Sequence, residues 1–219
     1  MGEASSPQKA HARRHFDRWA RDYEQDRRSR WLAQPQCDAL AALDLRGGDR
    51  FLDVGCGSGA AVRRAAEVVE RAVGADLSPA MIARARGLAA GLENVEFVEA
   101  DSERLPFADG AFSAVLCTTS FHHYPDPRRA AAEMARVLSP GGRLVIGDGC
   151  SDRLGARILD LCLRLFQPSH VHLYRSRELE HLLAEAGFAR QSSRLLWKGG
   201  YMIVSAFKDA EGSAAPAVS

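Results

Sequence analysis

Apolar positions along this 219-residue chain change period several times, and the changes mark out elements. Short apolar runs at 51–54, 72–75, 95–99, 112–117 and 143–147 have the length of buried strands. Helical spacing separates most of them, over 58–70, 79–90 and 127–138. Turn chemistry punctuates the rest: Gly47-Gly48-Asp49, Phe107-Ala108-Asp109-Gly110 and Pro140-Gly141-Gly142. Before the first strand, the pattern predicts a polar tail over 1–9 and two helices, 10–28 and 31–44, broken near Ser29. Phe16, Trp19, Ala20 and Tyr23 share one face of the first. After the fifth strand come a helix over 153–166 and another over 175–187, the latter closed by Gly187. Two final strands, near 189–197 and 200–207, flank Lys198-Gly199-Gly200, a hairpin signal.

Strands alternating with helices imply βαβ units, hence a parallel sheet with helices on both faces. The expected fold is therefore α/β: a Rossmann-like three-layer sandwich ending in an antiparallel hairpin. No internal repeat interrupts it.

The first strand carries the chemistry. Leu52-Asp53-Val54 runs into Gly55-Cys56-Gly57-Ser58-Gly59 and then a helix. Glycine is needed where φ is positive or where backbone must approach a ligand closely. The spacing G-x-G-x-G is neither the dinucleotide fingerprint nor a phosphate-binding P-loop, because no Gly-Lys-Ser/Thr follows. Such a turn suits a nucleoside with an uncharged or zwitterionic tail. Val73-Gly74-Ala75-Asp76 ends the second strand on an acid, the position from which ribose hydroxyls are bound. Ser78 and Pro79 then supply an N-cap and a first helical residue. The third strand ends beside Asp101, so three successive strands finish on or next to an acid.

Four motifs occur in order: Leu52–Gly59, Gly74-Ala75-Asp76-Leu77-Ser78-Pro79-Ala80-Met81, Asp101-Ser102-Glu103-Arg104-Leu105-Pro106-Phe107 and Leu138-Ser139-Pro140-Gly141-Gly142-Arg143-Leu144. Together they resemble class I S-adenosylmethionine (SAM)-dependent methyltransferases. The resemblance is to the small-molecule branch that includes the ubiquinone and menaquinone C-methyltransferases. It is strong over 50–147 and looser over 148–207. It implies a seven-stranded sheet of order 3-2-1-4-5-7-6 with strand 7 antiparallel. It implies SAM as cofactor, with Gly55 and Gly57 against its methionine part and Asp53 holding its amino group. By the same resemblance, Asp76 binds the ribose and Leu77 and Met81 flank the adenine. Asp101 and the Ser102 N–H meet the adenine edge, and Cys117 or Thr118 lies under the sulfonium. Tyr23 corresponds to a tyrosine of a helix that closes over the cofactor, although Glu24 follows it where Asp is commoner.

The length fits one methyltransferase domain over 1–219. Its expected parts are a helical lid at 1–45, a SAM-binding core at 46–150, a substrate-covering helix and closing hairpin at 151–207, and a tail at 208–219. Formal charge is +1, against the basic balance that nucleic acid demands. Residues 1–30 carry eight Lys/Arg and five Asp/Glu, so 8 − 5 = +3, the pattern of a solvated helix face. Five cysteines without a C-x-x-C pair suggest a reducing compartment, and cytoplasmic localisation is expected. No apolar run approaches the ~18 residues of a membrane span. A small-molecule acceptor is expected, with no nucleic acid and no membrane, for a monomer or homodimer.

Thr118 to Pro127 follows the fourth strand, where substrate-facing residues gather in this fold. His122 and His123 are the candidate catalytic residues, because histidine titrates near the operating pH of a general base. His122 is favoured of the two, and a structural role for the pair stays open. His170 and His172 fall on one side of an extended segment; a metal is not expected, and mouth-lining or packing is. Leu154, Ile158, Leu161, Leu165 and Phe166 form a helical stripe expected to be core. The competing functions are a nucleic-acid or protein methyltransferase and a non-catalytic SAM-binding subunit. Neutral charge, the lack of an Asn/Asp-Pro-Pro-Tyr/Phe tetrad and the intact glycines and Asp76 weigh against them.

Overall fold

The computed structural model describes residues 6–21, 27–167 and 169–209, with the side chains of 27–29 outside the description. Tyr23 and nearly all of the expected tail therefore lie outside the described residues. Two helices come first, α1 (Pro7–Trp19) and α2 (Arg27–Ala41). The alternating part follows: β1 (Arg50–Val54), α3 (Ala60–Ala65), β2 (Arg71–Asp76), α4 (Pro79–Leu88), β3 (Val95–Glu99), β4 (Phe112–Thr118), α5 (Pro127–Val137) and β5 (Leu138–Gly149). The chain closes with α6 (Leu154–Phe166), α7 (Ser176–Glu185), β6 (Phe188–Leu196) and β7 (Tyr201–Lys208).

The seven strands form one sheet of order β3-β2-β1-β4-β5-β7-β6. Neighbours from β3 to β5 are parallel, and β7 runs antiparallel to both β5 and β6. This is the order the family resemblance implies. Both faces are covered, which is why β1 and β4 are buried in nearly every position rather than alternating. One face buries Leu52, Val54, Val115 and Ile146 against Met134 of α5 and Leu179 and Leu183 of α7. The other buries Phe51, Ala72 and Val145 against Leu43, Val62, Ile82 and Ala85.

Local chemistry sets the ends of several elements. Ser78 caps α4 by accepting from the Met81 N–H at 3.1 Å, with Pro79 next in line. Asp126 caps α5 in the same way through the Arg129 N–H at 3.0 Å. Gly187 follows α7 with φ +89°. Elsewhere the structure departs from the pattern. Helix α3 ends at Ala65, short of the expected 70, as the chain turns into β2. The turn at Pro140-Gly141-Gly142 lies inside β5, as a bulge. Leu138 pairs with Phe112 and Arg143 with Ala114, so the residues between loop out, with Gly141 at φ +73°.

A larger departure is the stripe on α6. Expected in the core, it faces solvent: Leu154 is 71% exposed, Leu165 70% and Phe166 83%. The inward side of α6 is held instead by a buried acid, Asp160. Its carboxylate accepts from the Leu173 N–H at 2.7 Å and contacts His170 Nε2 at 2.8 Å and Arg164 at 2.7 Å. His172 adds Nδ1 at 3.3 Å. The His170/His172 pair is thus spent anchoring this helix, and no metal-binding group occurs among the described residues.

Candidate active site

A cleft opens at the carboxyl ends of β1, β2, β3 and β4. Its floor is the glycine turn. Gly55 has φ +77°, and a Cβ there would stand 2.0 Å from Ser120 Oγ and 2.9 Å from Tyr124 Oη. Only glycine lets the turn pass beneath the loop after β4. Thr119, on that loop, has φ +53°, a conformation non-glycine residues seldom adopt and one found often at ligand sites.

Asp76 joins the turn to the second strand. Its Oδ2 accepts from the Gly57 N–H at 2.8 Å and its Oδ1 from the Ser78 N–H at 2.9 Å. Burial raises its pKa against those two bonds, and Asp17 of α1 adds repulsion. Asp53 is 2% exposed, and its Oδ1 has no hydrogen-bond partner among the described residues. Burial, reinforced by the Asp76 charge, pushes its carboxyl up to about 8. Neither acid has an ion-pair partner among the described residues. A buried, orphaned carboxylate beside a second one is the donor set that a ligand bearing ammonium or hydroxyl groups would complete, and SAM carries both. The residues present fit that group.

Of the residues singled out from the sequence, Gly55, Gly57, Asp76, Leu77, Met81, Asp101, Ser102, Thr118 and His123 line the cleft. Asp53 sits beside its wall rather than in it. Cys117 is fully buried and meets Tyr124 Oη at 3.5 Å, so Thr118 is the one of that pair that reaches the cleft. Asp101 has other partners already. Its Oδ1 accepts from the Glu103 N–H at 3.0 Å, and its Oδ2 takes Lys9 Nζ at 2.6 Å. Lys9 also binds Glu103. Burial works against the ammonium charge, but the bonds to Asp101 and Glu103 outweigh it and raise the Lys9 pKa.

Lys9 belongs to α1, which sequence reasoning did not connect to these acids. Lys9, Ala12, Arg13 and Phe16 line the cleft. Further along α1, Asp17 Oδ1 accepts from Ser78 Oγ at 2.5 Å, and Phe16 meets the His123 ring edge-on at 5.2 Å.

The two histidines behave differently. His123 Nδ1 lies 2.5 Å from the Ser169 carbonyl oxygen. That nitrogen must carry the proton, which leaves Nε2 as the unprotonated one. Burial, then the neighbouring His122 ring, holds the His123 pKa well below the usual histidine range. His122 is not among the cleft residues. It packs on His123 at 3.9 Å between ring centroids and turns Nδ1 to Asp148 Oδ1 at 2.7 Å, while its N–H donates to Oδ2 at 3.0 Å. Asp148 had a readable signal. Like Asp53 and Asp76, it is an acid at the carboxyl end of an apolar strand, here the fifth.

The sheet order, the glycine turn and the acids at its edge define the class I SAM-dependent methyltransferase fold. A model described as a methyltransferase domain matches residues 52–146. A demethylmenaquinone methyltransferase of Clavibacter sepedonicus is 33% identical over 189 residues, 77% of this chain and 77% of the relative. The 27-O-demethylrifamycin SV methyltransferase of Amycolatopsis mediterranei (strain S699) is 42% identical over 116 residues, 51% of this chain and 43% of the relative. Among solved structures, the YcgJ protein of Bacillus subtilis superposes with a TM-score of 0.71 at 21% identity, covering 81% of this chain and 99% of that one. The chain belongs to the class I SAM-dependent methyltransferase family. It spans about half the length of the first curated relatives it matches.

Proposed function

We propose that this chain transfers a methyl group from SAM to a small organic acceptor. One observation supports this most: a buried acid, Asp53, and a half-buried one, Asp76, neither with a cation among the described residues, flank a glycine turn at the carboxyl edge of the sheet. The two relatives named above act, by their names, on small organic molecules, which supports the same class of acceptor here.

In this reading Gly55 and Gly57 leave room for the methionine part, and Asp53 takes its ammonium group. Asp76 takes the ribose hydroxyls, and Leu77 and Met81 flank the adenine. Asp101 and Ser102 meet the adenine edge, Thr118 sits beside the sulfonium, and Tyr23 closes over the group. When bound, SAM supplies a methyl already activated on a sulfonium. The protein's task is then alignment and exclusion of water. His123 is the acceptor-facing candidate base, because it lines the cleft neutral with Nε2 bare. Asp148 fixes His122, and His122 in turn packs on His123.

Calorimetry tests the reading. SAM and S-adenosylhomocysteine should bind and NAD should not. Asp76→Ala should weaken SAM by roughly 1–3 kcal/mol, the cost of leaving buried polar partners unpaired. Unchanged affinity in that variant removes Asp76 from the site and the reading with it.

A further inference from the structure

Helix α6 turns its apolar side outward. Leu154, Ile158, Leu161 and Leu165 recur at helical spacing along one face, each more than half exposed, with Leu159 and Phe166 beside them. Chance rotation does not explain this. The buried hub of Asp160, His170, His172, Arg164 and the Leu173 N–H fixes the polar side inward. The leucines are thereby held in water, against the usual direction of burial.

The patch continues past the helix. Arg153, at the start of α6, packs on the turn between β6 and β7, where a Cβ on Gly199 would meet its Nε at 3.1 Å. On that turn Trp197 stacks with Trp31 of α2 at 3.9 Å between centroids, and Trp31 is 64% exposed. Arg153 and Lys198 rim this surface, and Arg157 and Arg164 border it with their guanidinium groups on the Ser151 and Asp152 carbonyls and on Asp160. Its only acid within α6 is Asp160, which is buried and already engaged.

We infer that α6 and the Trp31–Trp197 pair form a docking surface for an anionic lipid bilayer. Leucines and phenylalanine on one helix face, arginines along its flank and indoles at its end are the parts of a helix lying in a membrane interface. A second copy of the chain fits worse. Pairing α6 with itself would bring two arginine flanks together with no free carboxylate between them. None of the described helices is long and apolar enough to cross a membrane. An interfacial helix does not need that length, so the expectation of no membrane, drawn from the lack of a span, does not bear on it. The inference is independent of what the cleft binds.

The test is co-sedimentation of the full chain with vesicles. Vesicles of phosphatidylcholine with about a third phosphatidylglycerol should pellet the protein, and pure phosphatidylcholine should pellet far less. Raising salt from about 0.05 M to about 0.5 M should release it, because surface attraction is screened. The double variant Leu161→Ser, Leu165→Ser should lower the bound-to-free ratio at least about tenfold while leaving the circular dichroism spectrum unchanged. As both side chains are exposed, folding should survive; Phe166→Glu is the second variant if it does not. Failure to bind the anionic vesicles, equal binding to both kinds, or variants that bind like the parent would overturn the inference. So would self-association by sedimentation velocity that the variants abolish in the absence of vesicle binding.

Discussion

Acids stand at both ends of the sheet, and they are treated in opposite ways. At the amino ends, Asp49 accepts from Ser113 Oγ at 2.7 Å and the Arg46 N–H at 2.7 Å and is paired with Arg143. Although burial opposes it, these partners hold the Asp49 carboxyl below its usual range. Glu133 is held low chiefly by its hydrogen bonds to Arg136. At the carboxyl ends, Asp53 is buried and Asp76 half-buried, neither has a cation among the described residues, and their pKa values rise. Paired acids cement the fold. Unpaired ones store an electrostatic cost that a ligand can relieve, the physical mark of a binding edge.

The largest test lies on the carboxyl edge. With an acceptor found in a panel of phenols, amines and quinols, His123→Gln should lower kcat/KM about 10²–10⁴-fold if His123 is the base. Because its pKa is depressed, His123 stays neutral into mild acid. The acid limb of kcat/KM should therefore lie below the ordinary histidine range. Near-normal rates in both His123→Gln and His122→Gln would make the pair structural.

The amino edge should respond in stability instead. Arg143→Ala strips Asp49 of its cation and should cost roughly 3 kcal/mol in urea unfolding, the scale for breaking a buried pair. SAM affinity should hardly change. A large loss of SAM binding without loss of stability would break the division between the two edges.

How far the chain itself revealed these edges follows from how local the signals are. The glycine turn and the Ser78 cap act within a few residues of backbone, and Asp76 lies at a fixed spacing of 19 residues from Gly57, so spacing exposed them. Lys9 bridges 92 residues to Asp101, and Asp148 bridges 26 to His122. No periodicity carries such pairings. The α6 stripe was misread for a related reason. Helical spacing shows that a face is apolar, but which side turns inward was decided by Asp160, whose partners His170 and Leu173 lie ten and thirteen residues on.

Asp53→Asn sharpens the contrast through pH. Asp53 binds its proton more tightly folded, near pH 8, than unfolded, near 3.8, the usual carboxylate value. Its protonated form is thus favoured by folding, and stability falls as pH rises from about 4 through about 8. Asparagine keeps the shape without the charge. The variant should therefore gain stability relative to the parent at pH 8, with the difference vanishing near pH 4. Melting curves across that range would check it, and parallel curves for the two proteins would remove Asp53 as the source. The same substitution should weaken SAM, so stability and binding should move in opposite directions.

The smallest effect concerns α1, which lies over the carboxyl edge and supplies a cation to Asp101 and Glu103. Lys9 occupies Asp101 Oδ2, the oxygen beside the proposed adenine position, and it also neutralises Glu103. Lys9→Ala would leave two carboxylates facing each other at the mouth of the cleft. Hydrogen exchange over residues 7–19 should then quicken several-fold, because the helix loses a latch but keeps its Asp17–Ser78 contact. If SAM and Lys9 compete for Asp101, ligand should speed exchange in α1 of the parent and leave the variant unchanged. If α1 instead closes on the ligand, SAM should slow exchange in both proteins. The direction of that single change decides whether α1 is a latch against the ligand or a lid upon it.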